Sequence, residues 1–540
     1  DYTIQKDSRY YNPLSSAGPK SGSDAQTAKG FIEYGKLISS TSLNYVRTFA
    51  RKHHLDVLAA YEIESYQTDH ASGEKSKLPS DKLTEPDNAA VLNSFKSATQ
   101  AYRMISYLSR LNYDYDDRYY IAGSYRRDGS SRLSPNNRWG NFWSVSGMWH
   151  LGNENFMKAV KPVLSDAKIR ASYGVNGNQP GSYYGYKGLY SYGENYMEAA
   201  GSYESAQPND LLTWEKNYSL NLGIDLSFIN RIFASLEYYN RDTKDLLYSL
   251  PISATTGFTS YLSNIGRLNN KGVEFELRTL NVVSNDFNWT SVFNLSHNRN
   301  KIVSLNGLLD QTIEGTWFIH KVGLPYHTFY VKEFAGVDPL TGSAQYYLNT
   351  KNEDGSYNRE LTTDAAKAES IPYKTATPKV SGGFTNILNY KWIDLTFTLT
   401  YSLGGYSFDK LGTYIENGSS SIYSSRYNLP AYMMNRWQKP GDQTDIPRFV
   451  YGEPATSTNS SRYIHSTDHL RLKNFTLGFT LPNQWTQKLM IDKVRIYFSG
   501  NNLLTWAKWK QYDPETPVNG EVFCEAPAMR TFSFGAQLSF

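Results

Sequence analysis

The last eleven residues, Arg530–Phe540, read R-T-F-S-F-G-A-Q-L-S-F. Phe532, Phe534, Ala536, Leu538 and Phe540 share one face of an extended chain, and Thr531, Ser533, Gly535, Gln537 and Ser539 share the other. This alternation runs to the carboxyl terminus, where chains normally fray. An end built this way is expected to be held by a neighbouring strand.

The composition agrees with a surface that is greasy on one side and wet on the other. Tyr 44, Phe 25 and Trp 11 make the chain 15% aromatic, yet its mean hydropathy is -0.55. At 540 residues a soluble chain would ordinarily divide into about three or four domains, with a single large barrel as the standing exception. Net charge is only +4 with Lys and Arg scattered, which argues against a nucleic-acid partner. A single cysteine, Cys524, excludes an internal disulfide framework and a CxxC metal site. No apolar run reaches the length of a spanning helix, so a closed barrel is the remaining membrane option.

Working back from the C-terminus, strand candidates come in pairs joined alternately by very short and by long connections. The clearest pair places Tyr218, Leu220, Leu222, Ile224, Leu226 and Phe228 on one face, turns at Ile229-Asn230, and returns along Arg231–Arg241. Other pairs are Thr41–Ala50 with Leu55–Tyr66, Gln100–Leu111 with Arg118–Tyr125, Val380–Tyr390 with Trp392–Leu403, and Leu470–Leu481 with Lys493–Gly500. Long loops are expected at about 12–30, 67–93, 175–212, 242–270, 300–377, 404–468 and 501–529. A short helical turn is expected over Asn155–Lys161. The sum is about 16 strands of roughly ten residues, the length that crosses a bilayer at a barrel's tilt. The fold class is therefore all-β, a transmembrane antiparallel β-barrel with short turns at one end and long loops at the other.

Several sequence blocks then carry a family likeness. D-H-L-R-L-K-N-F-T-L-G-F-T-L-P (Asp468–Pro482), V-R-I-Y-F-S-G-N-N-L-L-T-W (Val494–Trp506), Y-D-P-E (Tyr512–Glu515) and R-T-F-S-F-G (Arg530–Gly535) closely resemble the C-terminal barrel of SusC/RagA-like TonB-dependent transporters of Bacteroidetes. Blocks at Ser124–Arg132, Ile169–Asn178, Asn264–Leu277, Phe334–Gly342 and Arg436–Asp442 extend the resemblance over most of the chain. It implies that residues 1–540 are the C-terminal portion of a barrel of about 22 strands closed around a plug. The plug, the TonB-contacting segment and about six strands would then lie before Asp1. The implied activity is active import of glycan oligosaccharides or oligopeptides across the outer membrane. It would use TonB and a SusD-like surface lipoprotein, without enzymatic chemistry or a cofactor. By the same resemblance, Phe532, Phe534, Leu538 and Phe540 form the lipid-facing closing strand that the assembly machinery recognises. A passive porin of about 16 strands and a secreted glycan-binding β-protein are the alternative readings.

Loop aromatics that can stack on sugar rings or clamp peptides are Tyr183, Tyr184, Trp317, Tyr330, Tyr423, Tyr427 and Trp437. The competing role for each is packing within loops or forming an interface girdle. Glu274, Glu276 and Arg278 are expected on a solvated strand face, with lining the barrel lumen or facing the plug as the alternative. Asp114, Asp116 and Asp117 lack the Gly and distant Glu of a calcium loop and fit a polar turn. His465 and His469 have HxxxH spacing without the intervening Glu, so no metal site is assigned to them.

Overall fold

The computed structural model describes all residues except 12–24, 81, 198, 306–310, 315–316, 417–427, 451–458, 487–490, 516–518 and 540. Its principal feature is a 16-stranded sheet in which every strand pairs with the next main strand along the chain. These strands are β1 (Tyr2–Tyr11), β2 (Gln26–Phe49), β3 (His53–Ser76), β4 (Val91–Tyr115), β5 (Tyr119–Ser130), β6 (Trp139–His150), β7 (Leu164–Asn178) and β8 (Glu215–Phe228). They continue as β9 (Ile232–Lys244), β10 (Arg267–Val283), β11 (Phe287–Ser304), β12 (Val380–Tyr390), β13 (Ile393–Leu403), β14 (His469–Thr480), β15 (Lys493–Ala507) and β16 (Thr531–Ser539).

Turn chemistry explains the tight end of the sheet. Both central residues take positive φ at Ala50-Arg51, Asp116-Asp117 and Ile229-Asn230. That geometry matches the right-handed twist of paired strands, and it holds here even without glycine. Each turn is closed by a backbone hydrogen bond: Lys52 N to Phe49 O at 3.1 Å, Arg118 N to Tyr115 O at 3.0 Å, and Arg231 N to Phe228 O at 2.9 Å. Asp116 also meets Lys52 at 3.6 Å and Arg118 at 3.3 Å, the behaviour of a polar turn.

Strand lengths depart from the expectation. β2 and β3 are each 24 residues long and pair without a bulge from Gln26↔Ser76 to Phe49↔His53. At about 3.3 Å per residue they extend roughly 80 Å, far beyond a bilayer's apolar core. The loop expected at 12–30 therefore gives way to β2 at Gln26, and that at 67–93 shrinks to 77–90. Above the membrane both faces of a strand are wet, so apolar alternation fades while the hydrogen-bond ladder continues. For the same reason β15 runs on to Ala507, into the loop expected at 501–529.

The remaining long connections are folded. The one at 175–212 holds the hairpin Leu189–Tyr192/Ser202–Ala206, and that at 242–270 holds Leu247–Pro251/Ser260–Asn264. Insertions 300–377 and 404–468 contain short sheets and the one-and-a-half-turn helix α1 (Lys410–Ile415), whose N-cap Asp409 accepts from Gly412 N at 2.7 Å. Asn155–Ala159 forms the expected helical turn, as a 3-10 helix.

Two compact units can be distinguished by contact. The first comprises residues 1–148, 172–219 and 243–265, and the second comprises 149–171, 220–242 and 266–540. In the first, one face of β5 and β6 exposes Tyr119, Ile121, Tyr125, Trp139, Trp143 and Val145. A contiguous apolar surface of this kind marks contact with lipid or another apolar partner. The opposite face is charged: Arg126 contacts Glu62 at 3.4 Å, Asp128 at 2.7 Å and Ser106 at 2.9 Å. In the second unit Arg170 bridges Asp225 at 3.2 Å and Glu237 at 2.6 Å, and Arg495 meets Asp394 at 2.5 Å. Glu274, Glu276 and Arg278 lie exposed on β10, a solvated strand face. On β16, Phe534 is 83% exposed and Phe532 and Leu538 are also exposed; Phe540 lies outside the described residues.

Candidate functional site

The seven short turns and chain reversals lie at one end of the 16-stranded sheet, and the long connections at the other. The candidate recognition residues sit on the long-loop side, where folded insertions hold aromatic and charged groups in fixed positions.

In the first unit, the 179–214 connection is pinned down by its tyrosines. Arg132 lies 4.0 Å from the Tyr102 ring and 4.7 Å from the Tyr183 ring, and its Nη1 donates to Pro180 O at 3.0 Å. Tyr66 stacks on Tyr102 at 5.3 Å, and the Tyr102 hydroxyl donates to Glu64. Tyr184 meets Tyr183 edge-on at 6.3 Å, and its hydroxyl accepts from Ala101 N at 3.1 Å. Beneath lies a buried cluster of Leu133, Phe142, Leu212 and Trp214. Tyr183 and Tyr184 thus hold a loop against strands β3 and β4.

The second unit carries a small body with its own core, formed by Phe329, Val331, Ala376, Phe408, Tyr463 and Ile464. It brings Trp317 and Tyr330 together: Tyr330 N donates to Trp317 O at 2.7 Å. Trp317 stacks on Phe408 at 4.7 Å with Lys410 5.2 Å from its ring. Trp437 is placed elsewhere. Its Nε1 donates to Pro339 O at 3.0 Å, and its ring covers Gly342, where an added Cβ would come within 2.3 Å of the indole. Tyr423 and Tyr427 lie outside the described residues.

Buried ionisable groups support this body. Arg462 pairs with Glu416 at 3.0 Å, and Glu416 also accepts from the Tyr432 hydroxyl. Burial pushes Asp409 up to about 6, against the Gly412 N–H and with Glu416 adding to the rise. Burial and the neighbouring Arg462 push His465 down to about 4. His465 stacks on Trp509 at 4.7 Å, while the His469 ring bonds to Thr467 O at 2.8 Å, so the two histidines serve separate contacts.

Sequence reasoning missed a third locus. Arg471 of β14 reaches Asp513 at 2.5 Å and Glu515 at 2.9 Å, tying the D-H-L-R-L-K block to the Y-D-P-E block. Burial alone would raise the Asp513 carboxyl; the N–H groups of Glu515 and Ala528, with Arg471, hold it below its ordinary value. The sequence carries both motifs, but nothing in their spacing joins them. For metals, His54, Asp114 and Asp117 are the group among the described residues with converging ligand atoms, within 4.8 Å of one another. The His54 Nδ1 of that group lies 2.8 Å from the Thr48 hydroxyl.

Comparison with known proteins places this architecture. A family model described as TonB dependent receptor-like, beta-barrel, matches residues 1–503. TonB-dependent receptor P3 of Formosa agariphila is 31% identical over 536 residues, covering 93% of this chain and 52% of its own. TonB-dependent receptor SusC of Bacteroides thetaiotaomicron is 31% identical over 501 residues, covering 87% of this chain and 47% of its own. The chain thus spans about half the length of the curated relatives it matches. A solved structure of the RagAB peptide transporter superposes with a TM-score of 0.87 at 28% identity, covering 100% of this chain and 59% of the other. The family match, together with the alternation of short turns and long loops around a 16-stranded antiparallel sheet, shows that this chain belongs to the TonB-dependent receptor β-barrel family, with its strands in the bacterial outer membrane.

Proposed function

We propose that this chain is the barrel part of an importer that takes up glycan oligosaccharides or oligopeptides, capturing them with a SusD-like surface lipoprotein and moving them inward through TonB. The supporting observation is the folded state of the long-loop side. Two insertions build a core around Phe329 and Phe408, and a tyrosine-arginine cluster fixes a third loop. Loops that merely fringe a pore need no core of their own. A rigid set of aromatics at the outer mouth suits recognition, because less freedom is lost when a ligand binds. Residues 1–540 act in this reading as the wall and outer rim, and direction comes from different affinities before and after TonB engages.

The test is uptake of labelled oligosaccharides and oligopeptides by cells carrying the full-length gene, with and without TonB, together with identification of the lipoproteins that co-purify in detergent. TonB-dependent uptake and a co-purifying lipoprotein are expected. Steady conductance in a planar bilayer, with uptake indifferent to TonB, would establish a passive porin instead.

A further inference from the structure

A cavity of about 1100 Å³ lies in the second unit at the long-loop ends of β14, β15 and β16. Its wall includes Arg471, Asn502, Trp506, Lys510, Tyr512 and Arg530. Arg471 is only 3% exposed. Its two terminal nitrogens are taken by Asp513 and Glu515, but its Nε is buried without a hydrogen-bond partner. Asn502 shows the converse at the same wall: its Nδ2 donates to Met529 O at 3.0 Å, and its Oδ1 is buried and unpartnered. Among the described residues six buried side-chain polar atoms lack partners, and two of them belong to residues that line this one cavity. Buried donors and acceptors are nearly always satisfied in native proteins, so a vacant donor and a vacant acceptor on residues of one cavity point to a ligand that supplies both complements.

The electrostatics narrow the class of ligand. Charged wall residues are Arg471, Lys510, Arg530 and Asp513. Arg471 and Asp513 neutralise each other, whereas Lys510 and Arg530 form no ion pair among the described residues. The wall therefore carries an unmatched positive charge beside a buried N–H donor. Trp506, 53% exposed, and Tyr512, stacked on Trp509 at 5.6 Å, add flat apolar surface.

We propose that this cavity binds a carboxylate-bearing unit of the imported substrate, one with a hydrogen-bond donor adjacent to the carboxylate. The carboxylate accepts from Arg471 Nε–H and is drawn by Lys510 and Arg530; Asn502 Oδ1 accepts the neighbouring hydroxyl or amide N–H. A uronic acid residue in a glycan and the C-terminal residue of a peptide share this chemistry. The proposal rests on the importer reading and adds a substrate class to it.

The test measures equilibrium binding to the detergent-purified, full-length transporter complex by calorimetry. Four probes are used: a galacturonic acid trisaccharide, the neutral galactose trisaccharide, tri-alanine, and tri-alanine with its C-terminus amidated. In one pair the acid should bind about tenfold or more tightly than its neutral counterpart, and the pair that shows this identifies sugar or peptide. In Lys510→Gln/Arg530→Gln, whose side chains are exposed and hold no ion pair among the described residues, that preference should collapse. Equal affinities within both pairs, or a preference that survives the double substitution, overturn the proposal. The same preparation is scored for TonB-dependent uptake. Uptake that depends on TonB without carboxylate preference defeats the cavity assignment alone, whereas TonB-independent uptake defeats the importer reading and leaves the binding result standing.

Discussion

Replacing Phe408 by Ala tests whether the outer insertions form a cooperative body. Phe408 is fully buried, packed among Phe329, Tyr463 and Ile464, and it stacks on Trp317 at 4.7 Å. Removing a fully buried Phe side chain costs about 3–5 kcal/mol through lost transfer energy and the cavity left behind. At about 1.4 kcal/mol per decade, the local opening constant should rise roughly 140- to 3,700-fold. Hydrogen exchange in detergent gives the readout. Protection should fall by that factor in Phe318–Lys321, Thr328–Lys332, Ser370–Thr375 and Ile464–Ser466, and stay constant in β12 and β13. A small body with its own core opens without unzipping the main sheet. Unchanged protection in the insertion would refute the argument, as would an equal loss spreading through Val380–Tyr390.

Arg132→Gln should free the 179–214 connection, because two cation–π contacts worth about 0.5–2 kcal/mol each are lost; limited proteolysis should then nick that loop sooner, and an unchanged rate would mean that the Leu133–Trp214 cluster alone holds it. Asp409 and His465, 4.0 Å apart, oppose one another in their pH dependence. With Asp409 raised from 3.8 to about 6, its stabilisation is complete below pH 3.8 and lost as pH rises through 6; with His465 lowered from 6.5 to about 4, its stabilisation is present above 6.5 and lost as pH falls through 4. Each is worth about 3 kcal/mol, so the wild-type insertion should change little between pH 7 and 4, whereas Asp409→Asn, which keeps the Gly412 N–H acceptor, should lose about that amount on acidification. Identical pH profiles of hydrogen exchange in the two proteins would contradict this. Phe534→Arg on the exposed face of β16 should cost about 2–4 kcal/mol if the position is near mid-bilayer and lower the yield of heat-modifiable barrel on gels; normal yield would place the residue outside the apolar band.

The outer recognition residues were legible as types and not as an arrangement. Tyr183 and Trp317 stand out in sequence as loop aromatics, yet their ring contacts with Tyr102 and Phe408 depend on chain segments about 80 and 90 residues away. Arg471 and Asp513 belong to separate motifs 42 residues apart, and only the fold presses them into an ion pair. No local periodicity encodes such meetings, because they are set by how folded loops lie across the strand ends.

The sequence by itself determined most strands of the main sheet and which residues of each share a face. A bilayer imposes strict period-2 alternation, so Tyr218 to Phe228 and Phe532 to Leu538 could be assigned from residue types alone. It also determined the tight turns, where Ile229-Asn230 fills a two-residue hairpin connection. Tertiary structure alone decided how far β2, β3 and β4 continue beyond the membrane. It also decided that the long insertions fold around Phe329 and Phe408, and that Arg471 and Asn502 leave a donor and an acceptor open in one cavity. Where water touches both faces of a strand the apolar pattern vanishes, and hydrogen-bond ladders and buried contacts between distant segments take over the specification of structure.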